Sequence, residues 1–331
     1  MRSRLSVASG FSRRRSARRV ASGFSRTGGP LTIACTALLV CVSCLEARQA
    51  APAKFDGGRG FDDLRQMVAL GPRPAGSPAI KLTRDYIKKQ LVAAGLTPVE
   101  QAFDARTPIG MIHMVNVSAT LPGAATARGR LVIGGHYDTK LSRDFPFVGA
   151  SDGASSAAFL LELARALKGR QNPMPIELLF LDGEEATLWD WDTRNTDHTY
   201  GSQYYVDSAK KAGTLKDIRA FILVDMIGDR DLQLKRETYS TAWLTDTIWA
   251  AAARLKRPEF VSSATAIEDD HLPFLEAGVE AVDLIDLDYP AWHTREDTLD
   301  RVSAASLQAV GDVLLAALPD IEQTLASRTG R

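Results

Sequence analysis

Apolar positions along the chain recur at two different periods, and the alternation between them marks out successive strands and helices. Residues 61–70 read as a short helix, closed by the rigid loop Gly71-Pro72-Arg73-Pro74-Ala75-Gly76-Ser77-Pro78. Pro78 suits the first turn of a second helix over 79–94, where Ile80, Tyr86, Ile87 and Leu91 share one side and Gly95 ends the run. Strands are expected at 97–103, 112–120 and 130–135, followed by a helix over 154–167 with the stripe Phe159, Leu160, Leu163 and Leu167. The short apolar run 178–181 stops at Asp182-Gly183 and reads as a buried strand ended by turn residues. A polar, Trp-containing insert occupies 187–199, and a helical segment covers 200–211. Thereafter come a strand at 221–227, a helix at 238–255, a strand at 281–287 and an amphipathic helix at 303–325. This order predicts a three-layer α/β/α sandwich around a mixed, mostly parallel sheet, with one domain over 61–331.

Composition changes the picture only at the N-terminus. The 331 residues are 45% hydrophobic and 24% charged, as expected of an ordinary globular chain. Their formal net charge of zero hides an asymmetry, because residues 1–50 carry nine Arg and one acid, Glu46. That leaves 31 basic and 39 acidic residues in the remainder, a formal −8, which argues against nucleic acid as a partner. Residues 31–44 form an apolar stretch of signal-peptide length, short of the roughly 20 residues a bilayer span needs. We therefore expect export, periplasmic or secreted, directed by a leader over 1–50 and followed by a linker over 51–60. Val42-Ser43-Cys44 resembles a lipoprotein processing site, with Cys41 standing where Leu or Val is usual; cleavage near Ala47 or Ala50 and retention as an anchor are alternatives. Membrane association is expected through this segment alone, since nothing after residue 50 reads as long and apolar enough to span. Val7–Arg13 recurs as Val20–Arg26, too short and too close to be a structural repeat. All three cysteines (35, 41 and 44) precede residue 50, so the body has neither disulfide nor thiol nucleophile.

Ionisable side chains accumulate where strands are expected to end. They are His136 and Asp138, Asp152, Glu184 and Glu185, Asp225, the run Asp269-Asp270-His271, and His293. In parallel sheets ligands bind beyond the carboxyl ends of the strands. Two imidazoles among several carboxylates suit a catalytic Zn²⁺ with an open position. Each residue has a plainer use: Asp152 as a helix N-cap, Asp138 and Asp270 as loop carboxylates, either histidine as a core residue. Asp225, inside Leu223-Val224-Asp225-Met226-Ile227, is costly to bury without a partner, so the conjunction points to a site.

The series His136-x-Asp138, Asp152, Glu184-Glu185, Asp225 and His293 resembles the co-catalytic zinc aminopeptidase family over about residues 61–325. That resemblance implies the phosphorylase/hydrolase-like α/β/α fold. It also implies five ligand positions for two zincs (His136, Asp152, Glu185, Asp225, His293), with Glu184 as general base. A closer similarity is to the glutaminyl-peptide cyclotransferases of the same superfamily. It is carried by His136-Tyr137-Asp138, Phe147-Val148-Gly149-Ala150-Ser151-Asp152, Asp182–Ala186 and Tyr200-Gly201-Ser202. Most specific are Glu268-Asp269-Asp270-His271-Leu272-Pro273-Phe274 and Trp292-His293-Thr294. This resemblance implies one zinc on Asp152, Glu185 and His293, and Glu184 as a proton-shuttling acid hydrogen-bonded with Asp225 and Asp269. It also implies a substrate pocket walled by Trp292 with Trp191 or Trp189. The body's lack of cysteine departs from the disulfide of animal members.

The implied reaction closes an N-terminal Gln of a peptide or protein to pyroglutamate, its α-amine attacking its own side-chain amide and releasing ammonia. Zinc acts there as a Lewis acid, and one carboxylate moves the proton. The alternative is a two-zinc aminopeptidase that uses His136 and Asp225 as further ligands. Gly153, where those peptidases commonly carry a second Asp, favours the cyclase. A non-catalytic binding domain on this fold would be expected to have lost a ligand or Glu184, and both are present.

Overall fold

The computed structural model describes residues 54–188 and 196–328. In chain order its elements are α1 (Gly57–Ala69), α2 (Pro78–Ala94), β1 (Val99–Thr107), β2 (Gly110–Leu121), β3 (Arg130–His136), α3 (Ala154–Ala166), β4 (Ile176–Leu181), α4 (Tyr200–Lys211), β5 (Ile218–Asp225), β6 (Leu234–Glu237), α5 (Ala242–Leu255), β7 (Phe260–Thr265), α6 (Leu272–Glu276), β8 (Ala281–Ile285) and α7 (Ala304–Ser327). The main sheet runs β1-β2-β4-β3-β5-β8. Strands β4, β3, β5 and β8 are mutually parallel, while β2 and β1 add to the β4 edge antiparallel. This is the mixed, mostly parallel sheet expected from the sequence.

Alternation along the strands sends side chains to both faces. Leu131, Ile133, Leu178, Phe180, Ile222 and Val224 enter the larger core, shared with α1, α2, α3, α5 and α7. Val132, Leu179, Leu181, Phe221 and Leu223 enter a second core that includes Tyr205 and Val206 of α4 and Phe274 of α6. Helices thus cover both faces, which is why the central strands are continuously apolar rather than alternating.

Local sequence sets several boundaries. Ser77 caps α2 by accepting from the Ile80 N–H, Pro78 sits in its first turn, and Gly95 closes it at φ 90°. The expected linker over 51–60 is corrected in its second half. Asp56 caps α1, which starts at Gly57, and Phe55 is buried, stacked on Phe159 at 4.9 Å. Burying that ring contributes roughly 1.5–3 kcal/mol, and Gly311 makes room for it, since a Cβ there would meet Phe55 Cγ at 2.2 Å. The leader over 1–50 lies outside the described residues.

Three further differences concern the C-terminal half. Helix α5 begins at Ala242 rather than 238, and β6, β7 and α6 interrupt segments in which the sequence predicted no element. Helix α7 is long and apolar enough, by length and composition, to cross a bilayer, contrary to expectation. Its Leu307, Val310, Val313, Leu314, Leu318 and Ile321 are buried in the larger core, which accounts for the apolar composition.

Candidate active site and metal centre

The chain leaves β3 through α3 to β4 on one side, and leaves β5 through α5 to β8 on the other. The carboxyl ends of β3 and β5 therefore flank a switch point, where an open α/β sheet forms its binding crevice. His136 is the last residue of β3 and Asp225 the last of β5. His136 Nε2 lies 3.0 Å from Asp225 Oδ1, and both side chains are buried. Asp225 Oδ1 also accepts from Ser156 Oγ and from the Met226 N–H. Met226, at φ 47°, bends the chain away immediately after the strand.

The loop after β4 presents the two glutamates. Gly183, at φ 76°, makes the turn, and a side chain there would meet Met114 Sδ at 2.4 Å. Asp138, two residues beyond the end of β3, then accepts the backbone N–H of Glu184 at Oδ1 (3.2 Å) and of Glu185 at Oδ2 (3.3 Å). One buried carboxylate thus fixes both glutamates from the neighbouring strand. The start of α4 clamps the loop from the other side, Thr199 N–H donating to the Glu184 carbonyl and Tyr200 N–H to that of Gly183.

Asp152 is not the helix N-cap. Gly153 takes that position at φ 85°, leaving the Asp152 carboxylate free to turn inward. Its Oδ1 lies 3.3 Å from His136 Nε2, and its Oδ2 lies 3.5 Å from His293 Nε2. His293 Nε2 is also 3.2 Å from Glu185 Oε2. His293 itself adopts φ 54°, a conformation that costs a non-glycine residue about 1–3 kcal/mol and is found at functional sites. Two three-residue groups could therefore hold a metal ion, Asp152–Glu185–His293 and His136–Asp152–Asp225, sharing Asp152. They differ in what is already satisfied. Asp152 Oδ2 and both Glu185 oxygens are buried without a hydrogen-bond partner among the described residues, whereas His136 Nε2 and Asp225 Oδ1 already pair with each other. Orphaned buried carboxylate oxygens beside an imidazole nitrogen are the donor set a divalent cation satisfies.

Electrostatics follow from burial. Burial raises the Asp152 carboxyl to about 6, with Glu185 adding to the rise. Burial pushes Glu184 well above the usual carboxylate range; His136 opposes this, while Glu185, Asp269 and Asp225 reinforce it. Asp269 is driven the same way by burial, then by Asp225 and Asp270. These acids crowd one low-dielectric volume and cannot all ionise freely, so a proton shared among them is the expected state.

Sequence reasoning missed four supporting residues. Arg73, fully buried, donates to the Tyr137, Val148 and Gly149 carbonyls. Burial lowers it to about 10, against the pull of Asp297, Asp138, Asp152 and Glu185, so it stays a cation beneath the acids. Asp297 accepts from the Ser151 and Asp152 N–H groups and from Tyr289 Oη, tying the Asp152 loop to the His293 loop. Neither residue gave a signal, each sitting in an ordinary polar loop. Asp283 did: it is a lone acid in the apolar run of β8, as Asp225 is in β5, and it is fully buried. Glu237 accepts from the Tyr239, Ser240 and Ile267 N–H groups and from Ser240 Oγ, and lies 3.2 Å from His271 Nε2. Asp270 instead faces Ser202, whose Oγ donates to its Oδ1.

Those donors hold Glu237 down at about 2 although burial opposes them. An acid with a depressed folded value gives stability that is present above its unfolded value of about 4.3 and is lost as pH falls toward about 2. The melting temperature is therefore expected to fall across that window, and Glu237→Gln is expected to flatten the fall; a variant with the same acid limb would contradict this assignment.

A cleft of about 330 Å³ opens over these groups, lined by Glu184, Asp225, Asp269, His293, Trp292 and Glu268 among others. Trp292, partly exposed, stacks on the His293 ring at 4.3 Å. Trp189 and Trp191 lie outside the described residues. The site thus brings together His136, Asp138, Asp152, Glu184, Glu185, Asp225, Asp269, Trp292 and His293. It offers a cation site, a buried proton-holding carboxylate and a partly apolar wall.

Comparisons with known proteins agree with this arrangement. Residues 116–318 match the model of peptidase family M28. A glutaminyl-peptide cyclotransferase-like protein of Bos taurus is 34% identical over 267 residues, covering 71% of this chain and 68% of that protein. The crystal structure of an Acidobacteriales bacterium glutaminyl cyclase superposes with a TM-score of 0.78 at 39% identity, covering 83% of this chain and 98% of the other. A leucine aminopeptidase precursor from Bacteroides thetaiotaomicron superposes with a TM-score of 0.74 at 26% identity, covering 81% and 98%.

Proposed function

The chain belongs to peptidase family M28 and, within it, to the glutaminyl-peptide cyclotransferases, and from that premise we propose that it converts the N-terminal Gln of peptides and proteins to pyroglutamate with release of ammonia. The observation that carries this reading is the unequal satisfaction of the two candidate metal groups. Among the described residues Asp152–Glu185–His293 offers three orphaned buried oxygens, whereas the group of His136 and Asp225 has only the shared Asp152 Oδ2, its His136 Nε2 and Asp225 Oδ1 being paired with each other.

Asp152, Glu185 and His293 would hold one Zn²⁺, which when bound supplies Lewis-acid polarisation of the substrate's side-chain amide oxygen. Everything else falls to the chain. Glu184, held by Asp138 beside Glu185, accepts a proton from the α-amine as that nitrogen attacks the amide carbon. The same carboxyl then delivers the proton to the departing nitrogen, which leaves as ammonia. Its raised proton affinity suits both transfers, since it must hold the proton between them. Asp269, whose proton affinity is raised by burial and by the neighbouring Asp225 and Asp270, opposes a second negative charge next to it. Trp292 walls the cleft and keeps water from the amide.

The leader over 1–50 supports export to the periplasm or beyond, with a lipid anchor if Cys44 is processed. Substrates would then be the N-termini of exported peptides and proteins. The test of the reaction is to incubate the body after residue 50 with a Gln-peptide and with Leu-amide side by side. Loss of ammonia from an otherwise intact Gln-peptide, with Leu-amide untouched, is expected. Release of free Gln and Leu would instead support the two-metal aminopeptidase.

A further inference from the structure

Glu268 stands at the mouth of the cleft with no assigned task. It is half-buried, lines the same cavity as Glu184, Trp292 and His293, and makes no hydrogen bond or ion pair among the described residues. No Lys or Arg lines that cavity among the described residues. The same cleft is lined by two exposed aromatic side chains, Tyr239 at 52% and Trp292 at 36%. An unpaired carboxylate in a cleft that also carries aromatic rings favours a cation, through charge and through the ring quadrupole. The backbone on both sides of the cleft is tied to one carboxylate, because Glu237 accepts the N–H groups of Tyr239 and of Ile267, the residue before Glu268.

We propose that Glu268, with Tyr239 and Trp292 in the same cleft, selects substrates whose residue after the N-terminal Gln is Arg or Lys. The inference rests on the cyclase reading for its substrate. With the Gln side chain seated at Glu184, the next residue must lie toward the mouth, where these three side chains stand. A basic side chain meets Glu268 and the rings, and an acidic one meets a like charge in a cleft that no Lys or Arg lines among the described residues. Because the carboxylate is partly exposed, the discrimination is moderate and is screened by salt.

The experiment compares tripeptide amides Gln-Arg-Ala, Gln-Ala-Ala and Gln-Asp-Ala, following both disappearance and product. The kcat/KM for the Arg peptide is expected to exceed that for the Asp peptide by roughly tenfold at low ionic strength. That ratio should shrink in about 0.5 M salt, where the Debye length is short. Glu268→Gln should bring the two peptides to within about threefold, and Glu268→Asp should keep the order. Affinities of the same peptides for the Glu184→Gln protein should rank alike, which reads the charge preference without turnover. Equal kcat/KM for the Arg and Asp peptides in the unaltered protein, or a ratio that survives in Glu268→Gln, overturns the proposal. Free Gln as the product with the ranking intact would overturn the cyclase reading and leave the charge selection standing.

Discussion

Glu184→Gln is expected to lower kcat for Gln-peptide cyclisation by about 10²–10⁴-fold, the range a positioned acid–base group supplies, while the metal content stays unchanged. The substitution is close to isosteric and keeps the backbone N–H that Asp138 holds, so the loop and Glu185 should not move. Glu184 Oε2 lies 3.6 Å from His136 Nδ1 and belongs to neither three-residue metal group. An amide there cannot take up and return a proton, and KM should change much less than kcat, because the lost interaction acts on the reacting nitrogen. Kinetics paired with elemental analysis checks this. Retained turnover would move the shuttle to Asp269 or Asp225.

The second large effect separates the two metal groups. His293→Ala should empty the site, reducing affinity for Zn²⁺ by well over the roughly 10–100-fold that even an outer partner is worth. Among the described residues it removes the only imidazole facing Asp152 Oδ2 and Glu185 Oε2, both without a hydrogen-bond donor there. His136→Ala should leave the first metal in place, because His136 Nε2 is hydrogen-bonded to Asp225 and is absent from the Asp152–Glu185–His293 group. Calorimetric titration of each variant after chelation measures both. Equal loss in the two variants would point to a shared two-metal cluster bridged by Asp152.

The site was legible in the sequence wherever an ionisable residue broke an apolar run. His136 and Asp225 each end a buried strand, Glu184 and Glu185 follow in the turn after another, and period and polarity change together there. Helix α4 and the caps of α2 were equally readable, because Ser77, Pro78 and Gly95 carry their own backbone chemistry. Strand β6, Leu-Lys-Arg-Glu, is short and charged at three of its four positions, and β7 exposes Ser262, Ser263 and Ala264, so neither has a hydrophobic period to read. Only their pairing with each other makes them strands. Arg73 and Asp297 were invisible for a different reason. Their roles come from contacts 64–76 and 145–146 residues away in the chain, which no local pattern encodes. Asp283 could have been found by the argument applied to Asp225, a lone acid in an apolar strand.

The most direct test of the account is a stoichiometric titration of the chelated protein with Zn²⁺, following ammonia release from a Gln-peptide and amine release from Leu-amide in parallel. Ammonia release that rises linearly and levels off at about one Zn²⁺ per chain, with no hydrolysis of Leu-amide at any ratio, is the predicted result. A rise that continues to about two Zn²⁺ per chain and brings Leu-amide hydrolysis with it would contradict the one-metal cyclase and make His136 and Asp225 ligands.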